Sequence, residues 1–223
     1  MEKVRIAVIG CGGISAAHIN GILAEPRAEL VYCVDIDEEK ARARAEKCGA
    51  KVATDYRSIL DEVDAVDICT PPHLHAEMTV AAAEAGKHVL CEKIMAIDLD
   101  QAEAMIEATD KAGVVFMIAF VLRYRREFII LNEICRSGRL GQIHQAYAQT
   151  SMMLGIPPQK WRQSVETFPM GCFLSHGCHY VDQLIWNVGE ITEAASFGNA
   201  FTFHEWIPGG DDIAQFCRVL DRS

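Results

Sequence analysis

Residues 5–15 read Arg-Ile-Ala-Val-Ile-Gly-Cys-Gly-Gly-Ile-Ser, an apolar run that leads directly into a glycine-rich turn at 10–13. The apolar run predicts a buried parallel strand, and the periodicity of Ile14 to Leu23 predicts a helix after the turn. Glycines between a strand and a helix allow a tight turn and a close approach of a pyrophosphate to the helix N–H groups. Dinucleotide-binding turns of this kind commonly have the pattern Gly-x-Gly-x-x-Gly. Ser15 stands at the third glycine position, and we expect its hydroxyl to cap the helix.

An acidic residue, Asp35, ends the second predicted strand, Leu30 to Val34, roughly 20 residues after Ser15, which is the spacing of a residue that binds the ribose hydroxyls of adenosine. The next residues are Ile36 and Asp37, so no basic side chain is available for a 2′-phosphate, and the pattern favours NAD over NADP. Glycines alone also fit a plain turn, and the flanking strands, helix and acidic residue favour the dinucleotide site. The predicted cofactor contacts in this region are Gly10, Cys11, Gly12, Gly13, Ile14, Asp35 and Ile36.

The composition restricts the classes of protein that this chain can belong to. The 223 residues are 50% apolar, enough for one large or two smaller domains with a sizeable core. The net charge of −10 argues against nucleic acid or an anionic membrane as a partner. We expect no membrane span and no signal peptide, and therefore a cytoplasmic protein. The nine scattered cysteines contain no Cys-x-x-Cys pair, so we expect reduced core residues without disulfides or structural zinc.

Alternating strand and helix patterns continue to about residue 120. Such alternation predicts parallel strands with right-handed crossovers, and therefore a doubly wound Rossmann domain of α/β class over 1–121. The further strands are expected at Ala65–Cys69, Val89–Cys91 and Val114–Phe120, and the further helices at Glu38–Cys48, Tyr56–Asp61, His75–Ala85 and Asp98–Ala112.

The pattern changes over 122–223, where strand-like runs and helices are segregated. This arrangement predicts an α+β second domain with an open, predominantly antiparallel sheet. The expected helices are Glu127–Ser137 and a segment near Phe173–Trp186, and the expected strands are Gln142–Ser151, Ala194–Phe203 and Ile213–Leu220.

Three further groups of residues follow the glycine turn: Cys69-Thr-Pro-Pro-His-Leu-His75, Cys91-Glu-Lys93 and Gly177-Cys-His-Tyr-Val-Asp182. In this order they resemble the Gfo/Idh/MocA family of sugar and cyclitol dehydrogenases, over essentially the whole chain. The resemblance implies a nucleotide domain followed by an open-faced sheet, with the substrate pocket between them above the nicotinamide.

The resemblance also assigns roles to individual residues. It implies that Lys93 and His179 are catalytic, with the lysine close to both the nicotinamide and the reacting hydroxyl and the histidine acting as acid and base. Trp161 and Arg162 are implied to contact substrate together with these two. The positions that line or support the cofactor cleft are Thr70, Pro71, His75, Glu92, Lys93 and Arg123. No metal ligand is assigned, although His176 and His179 lie three residues apart.

These residue types suit the oxidation of an alcohol, because the hydroxyl proton must leave to a base as hydride passes to the nicotinamide. Histidine titrates near neutral pH, and a lysine can stabilise the developing alkoxide. We therefore expect an NAD-dependent oxidoreductase acting on a small polyhydroxylated substrate such as a sugar or cyclitol. Two alternatives stay open: an NAD-using glycosidase of the same fold, and a non-catalytic NAD-binding regulator.

Some features depart from the family pattern. Ser175 stands where many members have an aspartate, Ile94 follows the lysine in place of proline, and the glycine-rich run before the histidine is reduced to Pro169-Met170-Gly171. Family members are usually considerably longer, so we expect a chain truncated within the second sheet, and a homo-oligomer if the second domain is complete.

Overall fold

A computed structural model describes residues 3–149, 160–164, 166–167 and 173–194. The chain divides into two compact units, Met1–Ala119 and Phe120–Ser223. The strands of the first unit are β1 (Val4–Ile9), β2 (Ala28–Val34), β3 (Lys51–Ala53), β4 (Ala65–Ile68), β5 (His88–Cys91) and β6 (Phe116–Ile118). Its helices are α1 (Ser15–Ala24), α2 (Glu38–Cys48), α3 (His75–Glu84) and α4 (Leu99–Ala112), with short 3₁₀ helices at Tyr56–Glu62 and Pro72–Leu74.

The six strands form one parallel sheet in the order β3-β2-β1-β4-β5-β6. The order reverses on either side of β1, which is the topology of a doubly wound nucleotide-binding sheet. The predicted α/β Rossmann fold of the first domain is therefore confirmed.

Alternate residues of the central strands pack on opposite faces of the sheet. Ala7 and Ile9 belong to one apolar cluster, while Val8 between them belongs to a second cluster on the other face. All three are at most 3% exposed. Burial on both faces explains why these strands read as nearly continuous apolar runs.

The sheet differs from the prediction most clearly at β3 and β6. The strand β3 was missed because three residues are too few to show a period, and it lies at the sheet edge against β2. Phe116–Ile118 is shorter than the predicted Val114–Phe120. Within the described residues it pairs with β5 alone, so pairing stops where the short β5 ends.

The second unit contains two α-helices in the described residues, α5 (Arg126–Arg136) and α6 (Cys178–Val188). Short helical turns lie at Val121–Tyr124 and Lys160–Gln163, and a π-helical turn, Phe173–Gly177, leads directly into α6. The predicted strand Gln142–Ser151 is wrong over 142–149, which form no strand. A strand requires a paired neighbour, and the described residues of this unit contain none. The two later predicted strands lie outside the described residues, apart from Ala194, which is in no strand.

Two properties bear on the environment of the chain. Among the described helices, none is both long and apolar enough to cross a bilayer. Seven cysteines fall within the described residues, and all seven are free thiols.

Candidate functional site

The register of the sheet brings several loops of the first unit to one edge. Ile9 of β1 lies opposite both Val34 of β2 and Ile68 of β4, and Ile68 lies opposite Cys91 of β5. The residues that follow these four strand ends therefore leave the sheet at the same level. In doubly wound sheets, ligands bind at this edge, beside the strand where the order reverses.

Two glycines of the turn, Gly10 and Gly12, have different surroundings. Gly10 has a φ of +94°, and a Cβ atom there would lie 2.8 Å from the carbonyl carbon of Cys69. At Gly12, by contrast, a Cβ atom would meet no atom within 4 Å. The open space beside Gly12 and the exposed N-terminus of α1 fit a dinucleotide pyrophosphate.

Asp35 is tied to this turn by its carboxylate. Oδ2 accepts a hydrogen bond from the backbone N–H of Cys11 at 2.8 Å, and Oδ1 accepts one from the N–H of Asp37 at 2.9 Å. Each carboxylate oxygen keeps a further lone pair that can accept from a ribose hydroxyl. The neighbouring Ile36 is 93% exposed at the same edge, where an adenine ring would have an apolar surface to contact.

The expected cap by Ser15 is wrong. The helix begins at Ser15 itself, and its hydroxyl donates a hydrogen bond to the carbonyl oxygen of Gly12 at 2.7 Å. The side chain is fully buried, so it closes the turn from inside. The same carbonyl accepts a bond from Nη2 of Arg44 at 2.7 Å, a contact that the charged pattern of α2 did not reveal.

The loop after β4 contains Thr70 and Pro71, and it is held by His75. The ring nitrogens of this fully buried histidine lie 2.9 Å from the carbonyl oxygen of Thr70 and 2.8 Å from that of Ile94. Burial lowers the pKa of His75 because it disfavours the charged ring. The hydrogen bonds to the two carbonyl oxygens act in the opposite direction but are the smaller effect. His75 thus joins the loops after β4 and β5, a supporting position.

Glu92 and Lys93 directly follow β5. The Glu92 side chain is buried, and its Oε2 accepts a hydrogen bond from the backbone N–H of Lys93 at 2.9 Å. Lys93 is half-buried in the same loop.

A buried histidine of α1, His18, was missed by the sequence reasoning. Its Nδ1 lies 2.9 Å from both carboxylate oxygens of Asp67, and its Nε2 lies 3.0 Å from Oε1 of Glu92. The signal for this cluster was an acidic residue, Asp67, inside an otherwise apolar strand, since a buried charge needs a partner.

In the second unit, His179 lies on the first turn of α6, directly after the π-helical turn. Its ring meets that of Phe120 edge to face, with centroids 6.1 Å apart. One turn further along, the buried Asp182 accepts hydrogen bonds from Nε of Arg123 at 2.9 and 3.0 Å. This pair raises the pKa of Arg123 and anchors α6 to the segment that begins the unit.

Trp161 and Arg162 lie in the short helical turn before α6. The guanidinium of Arg162 stacks over the Trp161 ring at 4.5 Å, and its Nη1 donates to the hydroxyl of Ser175 at 3.2 Å. The hydroxyl of Ser175 is therefore a hydrogen-bond acceptor for Arg162. Pro169, Met170 and Gly171 lie outside the described residues.

Sequence comparison places this geometry in a known family. Residues 4–120 match the family described as an oxidoreductase family with an NAD-binding Rossmann fold, and residues 128–217 match the GFO/IDH/MocA C-terminal domain. Myo-inositol 2-dehydrogenase of Thermotoga maritima is 32% identical over 220 residues, which are 97% of this chain and 64% of that protein. D-glucoside 3-dehydrogenase of Escherichia coli is 32% identical over 93% of this chain and 63% of its own length.

Solved structures agree with the sequence relatives. The aldose-aldose oxidoreductase from Caulobacter crescentus, complexed with glycerol, has a TM-score of 0.86 at 28% identity and covers 95% of this chain and 65% of its own. The WlbA dehydrogenase from Bordetella pertussis, in complex with NADH and UDP-GlcNAcA, has a TM-score of 0.80 at 28% identity, covering 90% of this chain and 60% of its own.

This chain therefore spans slightly less than two thirds of the length of these relatives. The sheet order, the glycine turn and the family matches lead to one conclusion. The chain belongs to the GFO/IDH/MocA oxidoreductase family, and its first unit is an NAD-binding Rossmann domain.

Proposed function

We propose that this protein is an NAD-dependent dehydrogenase that oxidises a hydroxyl-bearing carbon of a sugar, cyclitol or related polyol. The observation that carries the proposal is the grouping, at one sheet edge, of the glycine turn, the tethered Asp35 and the loop of Lys93. Relatives named for inositol and glucoside dehydrogenation support the substrate class.

In this proposal, Gly10 to Ile14 hold the pyrophosphate, and Asp35 with Ile36 holds the adenosine. Thr70, Pro71, His75, Glu92 and Arg123 shape or support the cofactor cleft. NAD⁺ supplies the hydride acceptor when it is bound. The absence of a basic residue at 36 and 37 favours NAD over NADP.

Lys93 and His179 carry the proton chemistry. As hydride leaves the substrate carbon, the ammonium of Lys93 stabilises the developing negative charge on the oxygen. His179 accepts the hydroxyl proton, and Trp161 with Arg162 orients the remaining hydroxyls of the substrate.

Net production of NADH tests the proposal. The chain is incubated with NAD⁺ and a panel that includes myo-inositol, D-glucose and methyl glucosides, and NADH absorbance is followed. We expect NADH in amounts equal to the ketone formed. Release of methanol from a glucoside without NADH would instead indicate a glycosidase, and tight NAD binding without turnover would indicate a regulator.

Two further properties belong to the same proposal. We expect self-association through the second domain where that domain is complete, which light scattering tests. We also expect a cytoplasmic location, supported by the seven free thiols among the described cysteines and tested by cell fractionation.

A further inference from the structure

His18 connects three elements of the first unit through buried charged groups. It lies on α1, Asp67 lies on β4, and Glu92 follows β5. Their side chains are 7%, 3% and 9% exposed. Removing two carboxylates from water in this way requires a compensating positive charge or hydrogen-bond donors.

Both ring nitrogens of His18 face carboxylate oxygens, at 2.9 Å for Asp67 and 3.0 Å for Glu92. A neutral imidazole has one N–H, so its second nitrogen would place a lone pair against a carboxylate. An imidazolium donates from both nitrogens and also balances one of the two charges.

Besides the two carboxylates, the Cys69 thiol also interacts with the ring, and the charge of Lys93 acts on Glu92. Burial raises the pKa of Cys69 to about 12, so the thiol stays neutral. Burial by itself disfavours a charged His18 ring, but hydrogen bonds from the ring to Asp67, Cys69 and Glu92 raise the pKa of His18 to about 12. The Glu92 pKa is lowered: burial opposes ionisation, but the bond from His18 and the charges of His18 and Lys93 outweigh it.

Ligand atoms of His18, Asp67 and Cys69 lie within 4.8 Å of one another, a spacing that a metal ion could also use. A metal-bound imidazole commits one ring nitrogen to the metal. Here each ring nitrogen is at hydrogen-bond distance from a carboxylate, which is the arrangement of a proton donor.

The hydrogen bonds continue from this cluster to the loop of the proposed catalytic lysine. Oε1 of Glu92 faces Nε2 of His18, and its Oε2 accepts from the backbone N–H of Lys93 at 2.9 Å. Both oxygens of the carboxylate are thus used, one toward α1 and one toward the backbone that presents the lysine.

We propose that His18 is a positioning residue, an imidazolium held between Asp67 and Glu92 that fixes Glu92 and through it the backbone of Lys93. The consequence for catalysis rests on the proposed function, in which Lys93 contacts the reacting oxygen. The consequence for the loop itself does not require any substrate.

The protonation of His18 is measured by long-range ¹H–¹⁵N NMR of the histidine rings in the full chain, with the resonance assigned by its loss in His18→Gln. We expect both ring nitrogens to carry protons throughout about pH 7 to 9, where a free histidine is neutral. A ring with one bare nitrogen, or a ring that loses its signals on addition of Zn²⁺, would overturn the proposal.

The positioning of Lys93 is measured by amide hydrogen exchange in the wild type and in His18→Gln. We expect the Lys93 amide to exchange about tenfold faster or more in the variant, because Glu92 loses its charged donor. The amide of Val89, which donates to the carbonyl of Val115 at 2.8 Å in the same sheet, is the internal control. His88→Gln removes an exposed histidine and should leave Lys93 unchanged.

A double variant covers the case in which His18→Gln does not fold. In His18→Gln with Asp67→Asn, the glutamine can donate to Glu92 and accept from the new amide, so protection of the Lys93 amide should return toward the wild-type value. A folded His18→Gln in which the Lys93 amide exchanges at the wild-type rate would contradict the proposal. If only the double variant folds, a Lys93 amide that has lost its protection there would contradict it. So would a double variant that folds but does not recover protection lost in the single one.

Turnover provides the catalytic readout. In His18→Gln we expect kcat to fall by about 10- to 100-fold with NAD affinity retained, because small displacements of a catalytic group are costly. If the wild type itself shows no turnover, the proposed function fails, while the ring and exchange measurements still decide the role of His18.

Discussion

The backbone N–H of Cys11 donates to the carboxylate of Asp35 at 2.8 Å, so the glycine turn and the acidic residue at the end of β2 form one structural unit. The two are 24 residues apart in the chain. If Asp35 binds the adenosine ribose as proposed, that interaction also acts on the glycine turn through this bond.

Asp35→Ala should weaken NAD binding by about 1 to 3 kcal/mol, because charge-assisted hydrogen bonds to the ribose are lost. Titration of intrinsic fluorescence with NAD⁺ measures this change. Asp61→Ala, at an exposed position of the same unit, is the matched control and should bind NAD normally. Unchanged affinity in the Asp35 variant would rule out the ribose assignment.

Two glycine substitutions should separate folding from binding. Gly10→Ala should destabilise the first unit by more than about 1 kcal/mol, since its φ is +94° and the added Cβ would meet the Cys69 peptide at 2.8 Å. Urea unfolding measures this loss.

Gly12→Ala should leave stability nearly unchanged, because nothing lies within 4 Å of the added Cβ. Its NAD affinity should nevertheless fall by about tenfold, or roughly 1.4 kcal/mol, because the methyl group takes space reserved for the pyrophosphate. Normal affinity in this variant would indicate that the ligand does not approach the turn.

Lys93→Met should reduce turnover by at least about 100-fold while NAD affinity is retained, because the substitution removes the charge that stabilises the developing alkoxide. Steady-state kinetics with separate NAD titration gives the two values. Lys111→Met, at an exposed position of α4, serves as the control. Activity that survives in the Lys93 variant would exclude the lysine from catalysis.

The His18 cluster predicts a pH dependence of stability. In the unfolded chain the His18 ring has its ordinary pKa of 6.5, and in the folded protein the contacts of the ring raise this pKa to about 12. The stabilising contribution is therefore complete below pH 6.5 and is lost as the pH rises toward 12. Between about pH 7.5 and 9.5, where carboxylates are ionised in both proteins, the unfolding free energy of the wild type should fall more steeply than that of His18→Gln. Parallel slopes in urea titrations would contradict a protonated His18.

The first unit was largely predictable because its central strands are buried on both faces and the helices α2 and α4 have clear signals at both ends. Glu38–Cys48, for example, begins after Asp37, whose side chain accepts from the N–H groups of Glu39 and Lys40, and ends at Gly49 with a positive φ. By contrast, β3 is stabilised by its pairing with β2, which no local pattern reveals.

The candidate site was predicted less completely. The glycine turn, Asp35 and the Glu92-Lys93 pair carry local signals, and the structure of the first unit brings them to one edge. His18 carries no such local signal, because a single histidine on a helix has no periodic signature and its partners lie 49 and 74 residues away. The bond from Arg44 to Gly12 was missed for the same reason.

Direct transfer of hydrogen from substrate carbon to NAD⁺ is the central claim, and isotope transfer tests it most directly. The chain is incubated with NAD⁺ and carbon-deuterated myo-inositol or D-glucose, and the reduced cofactor is examined by mass spectrometry. We predict that the wild type forms NADH that carries one deuterium. Lys93→Met should form this NADH at least about 100-fold more slowly. NAD⁺ that binds but stays unreduced with every polyol of the panel, or NADH without deuterium, would contradict the account.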